Sequence, residues 1–130
     1  MQKKSQDNLI DRLRPYQQTA YRKLQENNRL CLVAKPGLGK TLIMLTHINK
    51  LLQDAKIKNI LIVSTLRIIH QVWPQEIKKW GFNLIPSVVH GNQKQRLTAL
   101  HRPADIYLIN FDGLAWLDEQ NILFDAILID

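Results

Sequence analysis

The run Asn59 to Ser64, NILIVS, is apolar on both sides of its strand alternation. A strand with no polar face has to be covered on both faces, which is the condition of a parallel sheet held between two layers of helices. Similar runs stand at Arg29 to Ala34 (RLCLVA), Asp105 to Asn110 (DIYLIN) and Phe124 to Ile129 (FDAILI). Between them the periodicity changes to that of helices. From Gly39 to about Gln53, Leu42, Leu45, Ile48, Leu51 and Leu52 fall on one side. Leu66 to Trp80 reads as a helix pair or a helix kinked at Pro74, with Trp73 and Trp80 sharing a face. Leu84 to His90 is a strand that Pro86 pushes to start at Ser87 or to lie near an edge. Asn92 to His101 is a polar helix and Asp112 to Glu119 a short one; Pro15 opens an earlier helix that ends near Asn27. Alternating strands and helices predict an α/β fold: a parallel sheet of about five strands with right-handed crossovers and helices on both faces.

At 130 residues the chain has room for one domain, and no repeat or Gly/Ser linker divides it. We expect a basic leader over residues 1–12 and a single lobe over 13–130. One cysteine, Cys31, excludes a disulfide framework and a Cys-rich zinc module, and a buried apolar thiol is its simplest role. No apolar run approaches the roughly 18 residues of a membrane span, and the lysines near the start precede no apolar signal core. No membrane partner is expected, and the cytoplasm is the default compartment. None of the 4 histidines has a ligand partner at i+3 or i+4, so no protein-only metal site is expected. Residues 1–65 carry 12 Lys and Arg against 4 Asp and Glu, residues 66–130 carry 6 against 7, and a basic half favours a polyanionic partner as readily as it does a solvated surface.

The eight residues Ala34 to Thr41, AKPGLGKT, lie between a predicted strand and a predicted helix. Gly37 and Gly39 allow successive backbone N–H groups to turn inward at the positive end of the following helix, a cradle for phosphate. Lys35, Pro36 and Leu38 complete the loop. Lys40 would reach the outer phosphates; unit charges ~4 Å apart at an effective dielectric of ~20 attract by about 4 kcal/mol. Thr41 would set its hydroxyl on Mg²⁺. Ala34 departs from the usual pattern, which begins with glycine, and a glycine-bearing turn with a chance lysine is the plainer alternative.

With this loop in place, a longer resemblance becomes specific. LRPYQQTAYRKL from Leu13 to Leu24, AKPGLGKT, LIVSTLRIIHQVWPQEIKKW from Leu61 to Trp80, then VVHGNQKQRLTAL and ADIYLINFDGL together resemble the first RecA-like lobe of superfamily two helicases. Within that group the chain is most similar to the Swi/Snf-like DNA-dependent ATPases, especially short bacteriophage forms. The resemblance implies a P-loop NTPase lobe using ATP and Mg²⁺. It makes Gln17 the adenine reader, a role that suits a side-chain amide with one donor and one acceptor face; Arg14 lies beside the nucleotide or on plain surface. It sets Ser64, Thr65 and Arg67 on a nucleic-acid backbone, for which hydroxyls, N–H groups and a guanidinium are suited. It adds His90, Gly91, Asn110 and Phe111 at other strand ends, each of which could instead cap a loop or pack a core. The implied partners are double-stranded DNA and a second RecA-like lobe or a full-length relative, in the host cytoplasm if the gene is a phage's. Trp73, Trp80 and Trp116 read as helix core rather than as base-stacking platforms.

The resemblance also implies an acidic pair after the last strand, the first acid holding Mg²⁺ through water and the second polarising the attacking water. Asp130 matches the first and is the last residue of the sequence. The expectation is a chain that stops at the start of this motif, lacking the second acid, the second lobe and an arginine worth roughly 10³ to 10⁵ in rate. Catalytic assignments therefore rest on Lys40, Thr41 and Asp130, and hydrolysis by the chain alone is expected to be negligible. The alternative is a complete small protein that binds nucleotide or DNA without turnover. A small P-loop kinase would need a lid and an acceptor site for which the sequence offers no candidates.

Overall fold

A computed structural model describes Pro15, Gln18, Arg22, Leu30–Val33 and residues 40–130; the first three have helical backbone. The elements are β1 (Leu30–Val33), α1 (Lys40–Gln53), β2 (Ile60–Ser64), a π-helical turn (Ile68–Val72), α2 (Trp73–Lys79), β3 (Pro86–Val89), α3 (Gln93–His101), β4 (Ile106–Asn110), a 3-10 turn (Phe111–Gly113), α4 (Leu114–Glu119) and β5 (Ala126–Ile129). The strands form one five-stranded sheet in the order β1-β5-β2-β4-β3. Every pairing is parallel, with Val63 opposite both Ile129 and Ile109, and Ser64 opposite Asn110.

The three central strands β5, β2 and β4 are buried along their whole length. Their alternation divides the core cleanly. Leu61, Val63, Tyr107, Ile109, Ile127 and Ile129 pack with Ala99, Leu100, Leu114 and Leu117 of α3 and α4 on one face. Ile60, Ile62, Ile106, Leu108, Ala126 and Leu128 pack with Leu45, Ile48, Trp73 and Ile77 of α1 and α2 on the other. Helices on both faces of an all-parallel sheet are what the apolar strands demanded. Among the described residues no helix is long and apolar enough to cross a membrane.

Two prolines have local consequences. Pro86 is the first residue of β3, which is the edge strand, so its missing N–H removes nothing from the sheet interior. Pro74 lies in the first turn of α2, where a missing donor is tolerated, and the chain enters it through the π-helical turn closed by Trp73 N–H to the Ile68 carbonyl. The predicted kink is thus a change of helix type rather than a bend.

The expectation that Trp73 and Trp80 share a face fails. The helix ends at Lys79, and Trp80 turns out into solvent ahead of Gly81, whose φ of +71° closes the turn. Trp73 is fully buried, while Trp80 is 47% exposed beneath the Lys79 ammonium, 4.9 Å from its ring centre. We predict that Trp73→Ala costs about 3–5 kcal/mol of unfolding free energy and Trp80→Ala less than about 0.5, measured by denaturant titration.

Candidate functional site

Because all five strands run the same way, their carboxyl ends meet along one edge of the sheet. Ligands of open α/β sheets gather at that edge. Asp130 follows β5 between the ends of β1 and β2. Its N–H donates to the Val63 carbonyl at 2.9 Å, and its own carbonyl accepts from the Ser64 hydroxyl at 3.3 Å. The Trp73 indole N–H donates to Asp130 Oδ2 at 3.0 Å. Backbone and one carboxylate oxygen are therefore fixed by three different groups.

Burial pushes the Asp130 carboxyl above the ordinary carboxylate range; the indole hydrogen bond and the positive charge of Lys40 oppose that rise. Lys40 and Thr41 are the first two residues of α1, both half-buried, so the predicted phosphate lysine and the predicted acid act on one another electrostatically. The loop between them and β1, residues 34–39, with Lys35, Pro36, Gly37, Leu38 and Gly39, lies outside the described residues, as do Arg14 and Gln17.

The other predicted residues lie further along the same edge. Thr65 and Arg67 are exposed where β2 leads into the π-helical turn, and the Thr65 carbonyl and hydroxyl accept from the N–H groups of Ile69 and Ile68. Ser64 is fully buried, with its hydroxyl engaged by Asp130, so Thr65 and Arg67 are the members of this trio that face outward. His90 and Gly91 follow β3; Asn110 ends β4 and Phe111 opens the 3-10 turn after it. Asn110 is only 7% exposed, and its Oδ1 has no hydrogen-bond partner among the described residues.

The turn at Gly91 leads into a helix start closed by its own side chains. Asn92 and Gln95 form a reciprocal capping box, each side chain accepting from the other's N–H at 2.9 Å. Gly91 has φ +111°, and a Cβ there would collide with the Gln95 side chain.

Two residues were missed by sequence reasoning as site residues. Trp73 reads as core, and it is core, but its one polar atom is aimed at Asp130. His70 carries no local signal: its Nε2 stands 3.2 Å from His90 Nδ1, and the strand order alone brings the two together. Among the described residues no group of three or more His, Cys, Asp or Glu could hold a metal ion. The donors present, a carboxylate and a threonine hydroxyl beside a lysine, are hard oxygens of the type that holds Mg²⁺ in company with nucleotide phosphates.

A family model described as "Type III restriction enzyme, res subunit" matches residues 10–130. The chain belongs to that family. The fold of this res-family chain is shared with a solved structure, the Sulfolobus solfataricus SWI2/SNF2 ATPase core in complex with dsDNA, at 25% identity and a TM-score of 0.61 over 91% of this chain and 25% of that one. It is also 33% identical over 108 residues to putative protein p41 of Acyrthosiphon pisum secondary endosymbiont phage 1, covering 80% of this chain and 24% of that protein. The res-family chain thus spans about a quarter of the length of each, and it has the fold of a RecA-like lobe of the superfamily two, helicase-like ATPase type.

The Asp130 environment gives a test. Folding raises this carboxyl's hold on its proton, so stability gains as pH falls through the raised folded value toward the ordinary one, and the full cost of the charge is present above it. Asp130→Asn keeps an oxygen for the indole and removes the charge. Thermal unfolding followed by circular dichroism should give a higher midpoint than the parent at pH 7, with the gap closing below the ordinary carboxylate value.

Proposed function

We propose that this chain is the ATP-binding lobe of a Swi/Snf-like DNA-dependent translocase, holding Mg-ATP at one end of the carboxyl edge and a DNA backbone along the rest. The observation that carries the first half is the Asp130 carboxylate, anchored by Trp73 and facing the charge of Lys40 across the start of α1. In this reading Gln17 pairs with the adenine edge. The N–H groups of Lys35, Gly37, Leu38 and Gly39, in the turn preset by Pro36, cradle the phosphates. Lys40 neutralises the outer phosphate charge, and Thr41 and Asp130 orient the hydrated cation. Bound Mg²⁺ supplies charge neutralisation on the phosphoryl oxygens. Trp73 keeps one oxygen of Asp130 turned inward, so that the other is free for a water of the cation shell.

Thr65, Arg67, His90, Gly91, Asn110 and Phe111 form the nucleic-acid track in this reading, and double-stranded DNA is favoured by the neighbour solved with dsDNA. Contacts of this kind are to phosphate, so they position a duplex without reading its sequence. A second RecA-like lobe would complete the nucleotide site with a charge-stabilising arginine, and the cytoplasm, a host's if the gene is a phage's as the p41 likeness suggests, would be the place of action.

Calorimetry with Mg-ATP tests the nucleotide half. Lys40→Ala should weaken binding at least about tenfold, roughly 1.4 kcal/mol, and an undiminished affinity would remove the basis of the proposal. Duplex binding against salt concentration tests the other half: Arg67→Ala should reduce the slope of log K on log salt by about 1.

A further inference from the structure

In the sheet order, β4 lies between β2 and β3. A side chain on the turn after β2 can therefore meet one at the end of β3 only above the carboxyl end of β4. His70 and His90 do so, with ring centres 5.0 Å apart and planes at 79°. Between Nε2 of His70 and Nδ1 of His90 the 3.2 Å separation suits one N–H and one lone pair. With both rings protonated, two N–H groups would point at each other, so the closed pair holds at most one extra proton. At the carboxyl end of β4 itself stands Asn110, with its buried oxygen that has no hydrogen-bond partner among the described residues.

We propose that the His70–His90 pair is a proton-linked phosphate clasp, which takes up a proton when a phosphodiester backbone docks across the end of β4. This rests on the nucleic-acid reading of the edge and adds to it a pH dependence and one further ligand, His70.

The surroundings favour the unprotonated His90 ring when no anion is present. Burial, the charge of His70 and the charge of Arg96, in that order, hold His90 below the ordinary histidine value. Charged and titratable side chains on the elements around the pair are Arg67 just ahead of its turn, Glu76, Lys78 and Lys79 on α2, Lys94, Arg96 and His101 on α3, and Asp112 after β4. Arg96 is held in place, 5.4 Å over the Trp116 ring, whose indole N–H donates to Gln93 Oε1 at 2.8 Å. A phosphate brought to this edge by Thr65 and Arg67 supplies the opposite charge. It reverses the balance, since an anion within about 4–6 Å favours the imidazolium. His70 is exposed and His90 half-exposed, so both can be reached. The capping box behind Gly91 keeps the His90 backbone from retreating.

The test is the affinity of the chain for a short DNA duplex, measured by anisotropy from pH 8 to pH 5.5 at constant ionic strength. Calorimetry in two buffers of different ionisation enthalpy counts the protons. The parent should bind more tightly as pH falls, by on the order of tenfold per unit at most, with uptake of up to about one proton. His70→Gln and His90→Asn each keep a polar nitrogen or oxygen near the contact but cannot be charged. In both, the pH dependence should flatten and the uptake disappear, whereas Arg67→Ala should weaken binding at every pH and keep the parent's pH slope. Imidazole titration by NMR in the parent, free and with duplex, reads the same event without a variant: both rings should titrate higher with DNA. Binding that is equally tight at all pH values, or imidazoles that do not move, overturns the clasp and leaves the nucleic-acid reading standing. Failure to bind duplex at any pH removes both.

Discussion

Parallel pairing of strands that are apolar on both faces is the constraint from which the rest follows. It requires a helix layer on each side, which uses up α1 and α2 on one face and α3 and α4 on the other. It also sends every strand's carboxyl end to the same edge, and with both faces covered, that edge is where polar side chains of the central strands can emerge. Asp130, Ser64 and Asn110 stand side by side there because β5, β2 and β4 are neighbours with aligned register. Their polarity is a break in otherwise unbroken apolar runs, and each break comes at the carboxyl end of its strand.

That edge is not uniform. Toward β1 it combines an acid whose charge is costly to bury with a lysine at a helix start whose charge offsets part of that cost. Toward β3 it gathers Arg67, Arg96 and two histidines, with a glycine turn locked by its capping box. The first end suits a compact, highly charged ligand. The second presents exposed cationic and imidazole groups, Arg67 and His70 among them.

Sequence reading recovered the element order and the covered parallel sheet because these depend on period and apolar content, which are local. It read Pro86 as forcing the strand to start at Ser87 or to lie near an edge; the strand starts at Pro86 and lies at an edge, where a residue without N–H is tolerated. It misjudged Trp80 because a seven-residue spacing implies a shared face only while the helix continues, and Gly81 ends it. It could not see His70 against His90: residues 20 apart in the chain meet through the insertion of β4 between β2 and β3, and strand order is a property of the whole sheet. The Trp73 hydrogen bond was hidden for a different reason. A buried indole is explained by packing alone, and nothing in the spacing shows where its single N–H will point.

That indole ties two parts of the lobe together mechanically. The same ring that fills the space between α2 and the sheet also grips the acid at the tip of β5, and α2 continues directly from the turn bearing Arg67 and His70. A tilt of this turn therefore bears on the hydrogen bond that holds Asp130 Oδ2. Trp73 and Asp130, 57 residues apart in sequence, are thus joined in space by a single hydrogen bond.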